Sequence, residues 1–280
     1  MNDVLPRIEH KGLVFDLPID LYHASPALSN SGITDLLRTP LHYYALHMDP
    51  DRPEEKESSS QLHGTLAHCA ILEPEAFDQR YIVGPSVNRS TKVWKEFVAT
   101  HPGRTAIQAD QRDAAMRQAE SVRALAGVGE LLGYGAPEVS AFWTDEQTQV
   151  YCRCRPDYVF DRGDGVILLD VKTYSDASAD DFERQVARQG YHRQDWWYSN
   201  GYALASGRPV LEFIFVAVES EWPYAASAMR LDLQAKERAR AECELALAIF
   251  SRCTLKQHWP GYPNAITTLS LPRWLLEKSL

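Results

Sequence analysis

Ile167-Leu168-Leu169-Asp170-Val171-Lys172 is the stretch on which both the architecture and the chemistry of this chain turn. Read as a strand, its period of two puts Asp170 and Lys172 on one face and Leu169 and Val171 on the other. The apolar face anchors the strand, and the carboxylate and the ammonium point together at one spot. Thirteen residues before Asp170 stands Asp157, in Arg155-Pro156-Asp157. Val150 to Phe160 and Gly165 to Thr173 both read as strands, joined by the turn-rich Asp161-Arg162-Gly163-Asp164-Gly165. A hairpin of this kind brings Asp157 and Asp170 within reach of a common cation.

Two carboxylates that face each other repel, and both stay ionised readily only with a cation between them. Hard oxygen donors suit Mg²⁺, with Mn²⁺ as the alternative. A cation held there can clamp a phosphodiester, lower the pKa of a bound water and stabilise the leaving oxygen. Lys172 can then orient the attacking water and offset charge at the phosphorus. The same three residues would also make a plain hairpin ion pair, Lys172 with one aspartate, and the pattern alone leaves both readings standing. Pro50-Asp51, followed by Glu54-Glu55-Lys56, repeats the bare pattern. It lies in Asp49 to Ser60, DPDRPEEKESSS, which has no apolar periodicity and reads as a solvated loop.

Outward from the hairpin, Glu138 to Trp143 reads as a further strand, and Leu211 to Val218 (LEFIFVAV) as a strand buried on both faces. Helices are expected at about Ala177 to Gln189, Arg193 to Ala205 and Gln234 to Phe250, and earlier over Asp110 to Ala126. Leu62, Leu66, Ala70 and Ile71 form a helical stripe that Pro74 ends. Ser29-Asn30-Ser31 caps a helix carrying Ile33, Leu36 and Leu37, and a short helix runs from Leu41 to His47. The tail from Thr268 to Leu280 reads as irregular and then helical. The fold class is therefore α/β, a mixed sheet flanked by helices, without a clear internal boundary.

Lys plus Arg is 29 and Asp plus Glu is 38, a net charge of −9. A protein that coats DNA through a broad basic surface does not have this balance. A local cationic groove inside an acidic exterior does fit it. The basic residues are 8 Lys and 21 Arg, a bias toward the bidentate donor that suits phosphates and carboxylates. No apolar run is long enough to span a membrane. The start, Met1-Asn2-Asp3-Val4-Leu5-Pro6, lacks the pattern of a secretory leader, so a cytoplasmic protein is expected. The five scattered cysteines argue against a disulfide framework. Cys152, Cys154, Cys243 and Cys253 form no compact set of thiolates and read as core residues. No G-x-G-x-x-G follows a strand and no G-x-x-x-x-G-K-[ST] occurs, so nucleotide-binding readings lose their motif.

Two features beyond the hairpin bear on chemistry. Gln194, Tyr198 and Tyr202 fall at i, i+4 and i+8 on one helix face. Glutamine can orient a water or a phosphate, and tyrosine can donate to a phosphate oxygen. Trp196 and Trp197 beside them read as core material. His68 sits on the Leu62 to Ile71 helix, and by itself it reads more readily as a core or partly exposed histidine than as a ligand, since imidazole needs neighbouring ligands to hold a metal.

Arg155-Pro156-Asp157, Leu169-Asp170-Val171-Lys172-Thr173 and Gln194-x-x-x-Tyr198-x-x-x-Tyr202 together resemble the PD-(D/E)xK nucleases. More narrowly the chain resembles the exodeoxyribonuclease VIII (RecE-like) branch of phages and prophages. Ser29-Asn30-Ser31 with Pro40-Leu41-His42-Tyr43, His63-Gly64-Thr65-Leu66-Ala67-His68 with Leu72-Glu73-Pro74, and Ser270-Leu271-Pro272-Arg273-Trp274 are similar to further segments of that branch. The likeness runs over roughly residues 25 to 275.

The resemblance implies a Mg²⁺-dependent exonuclease that degrades one strand of duplex DNA from a 5′ end, leaving 3′ single strands for recombination. It implies one nuclease domain over residues 1–280, with 1–60 a helical segment and acidic linker and 61–280 the core and tail. His68, Asp157, Asp170 and the backbone carbonyl of Val171 become the metal ligands, and Lys172 the catalytic lysine. Gln194 and Tyr198 position the nucleophile or the scissile phosphate. Ser31 and Arg38 map near a 5′-phosphate pocket, with Arg155 and Tyr202 as further DNA contacts. Some relatives carry Glu where His68 falls, which makes His68 a subgroup trait. A ring-shaped homo-oligomer and a single-strand annealing protein are the implied partners. The alternatives are an endonuclease on the same core and a catalytically silent DNA-binding scaffold.

Overall fold

The computed structural model describes residues 9–53 and 59–273. The helix expected toward Leu280, Trp274 and Glu54-Glu55-Lys56 lie outside them. The chain opens with β1 (Gly12–Val14), α1 (Ile19–Ala24), α2 (Asn30–Arg38) and α3 (Pro40–His47). Next come α4 (Ser59–Leu72), α5 (Pro74–Arg80), β2 (Tyr81–Val83), α6 (Lys92–Thr100), β3 (Thr105–Ile107) and α7 (Ala109–Arg123). The strand-rich half holds β4 (Gly135–Pro137), β5 (Ser140–Thr144), β6 (Tyr151–Cys154), β7 (Tyr158–Asp161) and β8 (Val166–Tyr174). It is followed by α8 (Ala179–Gln189), α9 (Tyr191–Ser206), β9 (Val210–Glu219), β10 (Ala226–Met229) and α10 (Leu233–Lys256).

The large sheet has the order β10-β9-β8-β7-β4, with β8 and β9 parallel and the other pairs antiparallel. Its central strands obey the period read from the sequence. Val166 and Leu168 pack with Phe182, Trp197, Phe213, Phe215 and Leu247, under α8, α9 and α10. Ile167, Leu169 and Val171 pack with Leu66, Ile71, Val122, Val216 and Val218, under α4 and α7. The sheet is mixed and helices cover both faces, as expected. β9 is buried on both faces, as its apolar run indicates. All five cysteines are free and buried.

One expected strand is divided between two sheets, and another begins later than its pattern suggests. The Val150 to Phe160 run becomes β6 in a small sheet, ordered β1-β5-β6, and β7 in the large one. The break falls at Arg155-Pro156-Asp157. Likewise Glu138 to Trp143 does not start a strand at Glu138. The residue lies between β4 of the large sheet and β5 of the small one, with a left-handed φ of 53°. The chain thus leaves the large sheet at Glu138 and returns at Asp157. The two crossings are joined, since the Glu138 amide donates to the Asp157 carbonyl at 3.0 Å. Periodicity within a segment cannot reveal a change of sheet, because both halves keep the same alternation.

α8 and α9 are separated by Gly190, whose φ of 75° lets the chain turn sharply between them. α9 then lies close to β5: a Cβ on Gly201 would stand 2.2 Å from the Trp143 ring. This near approach seats Trp197, only 1% exposed, against Trp143 at a centroid separation of 5.1 Å.

Candidate active site

The site is built where β7 stops short of β8. Their antiparallel register ends at Tyr158 opposite Leu169, so the next hydrogen-bonding position would set Pro156 opposite Val171. Proline has no N–H to give, and the ladder ends there. The amide and carbonyl of Val171 are taken instead by side chains. The Val171 N–H donates to Asp157 Oδ2 at 2.7 Å. The Val171 carbonyl lies 2.9 Å from His68 Nε2, reaching over from α4. A carbonyl only accepts, so Nε2 donates to it, and Nδ1 is the ring nitrogen left to face the site. That Nδ1 faces Asp157 Oδ2 at 3.5 Å.

Asp170 and Lys172 occupy the neighbouring space on the α9 side. Asp170 is 1% exposed; its Oδ1 contacts the Lys172 ammonium, and its Oδ2 accepts from Gln194 Nε2. Burial, and then Asp157, push the Asp170 carboxyl up to about 6, with Lys172 opposing. Burial works against the Lys172 ammonium, yet Asp170 and Asp157 outweigh it and hold its pKa above the ordinary value. Tyr198, one turn beyond Gln194, lies with its ring edge-on to Phe213 at 6.1 Å. Its hydroxyl pKa is raised by burial and then by surrounding acidic groups that include Asp170 and Asp157.

The structure therefore brings together His68, Asp157, Asp170, Val171, Lys172, Gln194 and Tyr198. It does not bring Tyr202 to them. Tyr202 is 4% exposed, and the ion pair that acts on it is Arg208 with Asp161, at the far end of β7. Arg155, expected as a DNA contact, is instead a buried strut: its side chain is 8% exposed and donates to the carbonyls of Glu138 and Leu17. Ser31 and Arg38 are exposed on α2, bonded to Ser29 Oγ at 2.9 Å and to the Tyr262 hydroxyl at 3.4 Å. α2 is tied to α9 by Arg193 Nη2 donating to Thr34 Oγ1 at 3.4 Å.

Sequence reasoning missed Glu138. Ligand atoms of His68, Glu138 and Asp157 all lie within 4.8 Å of one another, the one such group of three among the described residues. Burial, and then Asp157, raise the Glu138 carboxyl to about 8, against the pull of Arg155. Crowded carboxylates beside an imidazole nitrogen fit a divalent cation by donor type and by charge. The one signal available was a carboxylate at the head of an otherwise apolar strand. A cleft of about 810 Å³ opens beside this group, lined by His68, Glu138, Gly64, Glu73, Arg80 and Arg155 among others. Its two arginines already have carboxylate partners, Arg80 with Glu73 at 2.6 Å and Arg155 with Glu138 at 3.5 Å. The cationic lining expected from the charge balance is not supplied by them.

The helix that presents Gln194 is held by Glu242 of α10, which accepts from His192 Nε2 at 3.0 Å, Arg193 Nη1 at 2.8 Å and Arg238 Nε. Burial raises the Glu242 carboxyl, but the hydrogen bonds from Arg193, His192 and Arg238 outweigh it and bring it down to about 2. A folded value below the ordinary 4.5 means that this cluster stabilises the protein above about pH 4.5. The contribution is lost as pH falls toward 2. Glu242→Gln is expected to lose about 1–3 kcal/mol of stability at pH 7. Denaturant unfolding across pH should show the gap to wild type closing below about 4.5, and a gap that stays constant would exclude the carboxylate as its source.

A sheet that positions two aspartates and a lysine at the end of an interrupted hairpin, flanked by helices on both faces, is the core of the PD-(D/E)xK-type nucleases, enzymes that work with divalent metals. Residues 29–271 match the PDDEXK-like domain of unknown function (DUF3799), and the chain belongs to that family. No curated protein matches the sequence. The crystal structure of a protein from Eubacterium rectale, described as a "Putative exonuclease", shares the fold with a TM-score of 0.56 and 14% identity. The match covers 91% of this chain and 94% of that one. The crystal structure of SSO0001 aligns over 49% of this chain and 67% of that one, at 15% identity and a TM-score of 0.26. Among the described residues no helix is long and apolar enough to cross a membrane.

Proposed function

We propose that the protein is a Mg²⁺-dependent exodeoxyribonuclease that degrades linear duplex DNA from a 5′ end and leaves a 3′ single strand for recombination. The observation that carries the nuclease part of this reading is the placing of Lys172 against Asp170, next to Asp157 and His68 and beside an open cleft. The polarity, the recombination role, an annealing partner and a ring assembly rest on the resemblance of the motifs.

A bound Mg²⁺, or Mn²⁺, would supply a Lewis acid at the phosphodiester and lower the pKa of a water there. His68 Nδ1, Asp157, Asp170 and Glu138 are the groups that would hold it. The Val171 carbonyl, also expected as a donor, accepts from His68 in the described arrangement. Lys172 is placed to orient a water and to offset negative charge at the phosphorus. Gln194 fixes the Asp170 carboxylate through its second oxygen. Water attack in line with the 3′ oxygen would leave a 5′-phosphate and a 3′-hydroxyl. Ser31 and Arg38, exposed on a helix joined to α9, are the candidates for a 5′-phosphate.

Linear duplex DNA, with and without 5′-phosphate, is the test substrate, incubated beside a closed circle with Mg²⁺ or with chelator. The expected result is loss of the linear DNA from its ends with Mg²⁺ only, and an intact circle. Cutting of the circle would assign the core to an endonuclease, and no cutting at all would leave a DNA-binding scaffold. Glu138→Gln is expected to weaken Mn²⁺ binding about tenfold or more in a calorimetric titration. Equal affinity would remove Glu138 from the metal site.

A further inference from the structure

Lys172 has a second neighbour that the nuclease motifs do not include. Its ammonium lies 4.8 Å from the ring centroid of Tyr191, the first residue of α9, within cation–π range. The ring is held on several sides. It stacks on Phe182 at 5.8 Å and meets Phe215 at 5.7 Å. Its hydroxyl is hydrogen-bonded to the hydroxyl of Tyr174, a residue on the same face of β8 as Lys172. Gly190 sets the direction in which α9, and with it Tyr191, enters the site.

A lysine needs such a support here. Its stem is flexible, and an ammonium is a point charge that one carboxylate oxygen does not orient. Asp170 is also a group that a cation would claim, which would weaken its hold on the ammonium. An aromatic face attracts an ammonium without offering a ligand atom to Mg²⁺, so it keeps its hold whatever the carboxylates bind. We infer that Tyr191 is the positioning residue for Lys172, its ring face holding the ammonium beside Asp170 and toward the scissile phosphate. The inference rests on the nuclease reading above.

The test is cleavage kinetics on linear duplex DNA with saturating Mg²⁺. Tyr191→Leu is expected to lower kcat about tenfold with KM for DNA within about twofold. Tyr191→Phe, which keeps the ring, should restore most of kcat. Replacing Tyr191 by phenylalanines with one, two and three ring fluorines keeps the shape and drains the ring face of negative potential. The expected result is a stepwise fall in kcat along that series, with thermal midpoints unchanged. A flat series, or wild-type kcat in Tyr191→Leu, overturns the inference. Failure of the wild-type protein to cleave DNA overturns the nuclease reading instead, so the two failures are distinct.

Discussion

Asp170→Asn is expected to lower DNA cleavage by about 10³-fold or more, roughly 4 kcal/mol of transition-state stabilisation, in a chain that remains folded. Asp170 faces Lys172 with one oxygen and Gln194 with the other, and it is the carboxylate nearest the lysine. An amide in its place keeps the shape but removes the charge that a cation and the ammonium both use. The same change acts oppositely on the metal-free protein. The folded-state pKa of Asp170 stands at about 6, above the ordinary 3.8, through burial and the charge of Asp157. The metal-free wild type therefore loses stability as pH rises from 3.8 through about 6, and the asparagine variant lacks that loss. Wild-type cleavage by Asp170→Asn would exclude it from the site. A thermal midpoint well below wild type at pH 7 without metal would show that the carboxylate is a structural ion pair. Lys172→Met should match the loss of cleavage while retaining Mn²⁺ binding, since lysine is a donor and not a ligand.

Trp197→Ala is expected to destabilise the protein by about 3–5 kcal/mol, the range for emptying a buried aromatic site. Trp197 is 1% exposed, rests on Trp143, and donates its indole N–H to the Arg153 carbonyl at 2.9 Å. It therefore joins α9 to the small sheet at the same place where Gly201 allows the close approach. Alanine would leave a cavity and an unpaired carbonyl together. Gly201→Ala tests the same seam from the other side, because the added methyl would overlap the Trp143 ring, 2.2 Å away. Denaturant unfolding measures both. A loss below about 1 kcal/mol in Trp197→Ala would mean that α9 is anchored elsewhere, the Glu242 cluster being the next place to look.

Much of this architecture is legible from local pattern. The alternation in Ile167 to Lys172 separates the face of Leu169 and Val171 from that of Asp170 and Lys172, and β8 keeps it, with Leu168 packed on the latter side. The spacing of Gln194 and Tyr198 puts both on the site side of α9, because a helical turn repeats every 3.6 residues wherever the helix is placed. The same rule misplaced Tyr202. An i+8 residue lies two turns, about 12 Å, further along the axis, and the site does not extend that far. Arg155 was misread for a different reason: proximity in sequence to Asp157 says nothing about whether a guanidinium turns toward solvent or toward the carbonyls of Glu138 and Leu17.

By itself the sequence determined the mixed sheet, the helices that cover it, and the pairing of Asp157 with Asp170 and Lys172. These follow from periods and turns a few residues long. Only the tertiary structure decided that Pro156 ends the ladder opposite Val171, that His68 fills the vacated position, and that Glu138 comes beside Asp157. It also decided that Tyr191 stands over Lys172. Each of these contacts joins residues from separate elements, and it exists only because two sheets exchange the chain at one point and α9 packs where Gly201 admits it. No local period encodes such a meeting; it is set by which surfaces bury each other best.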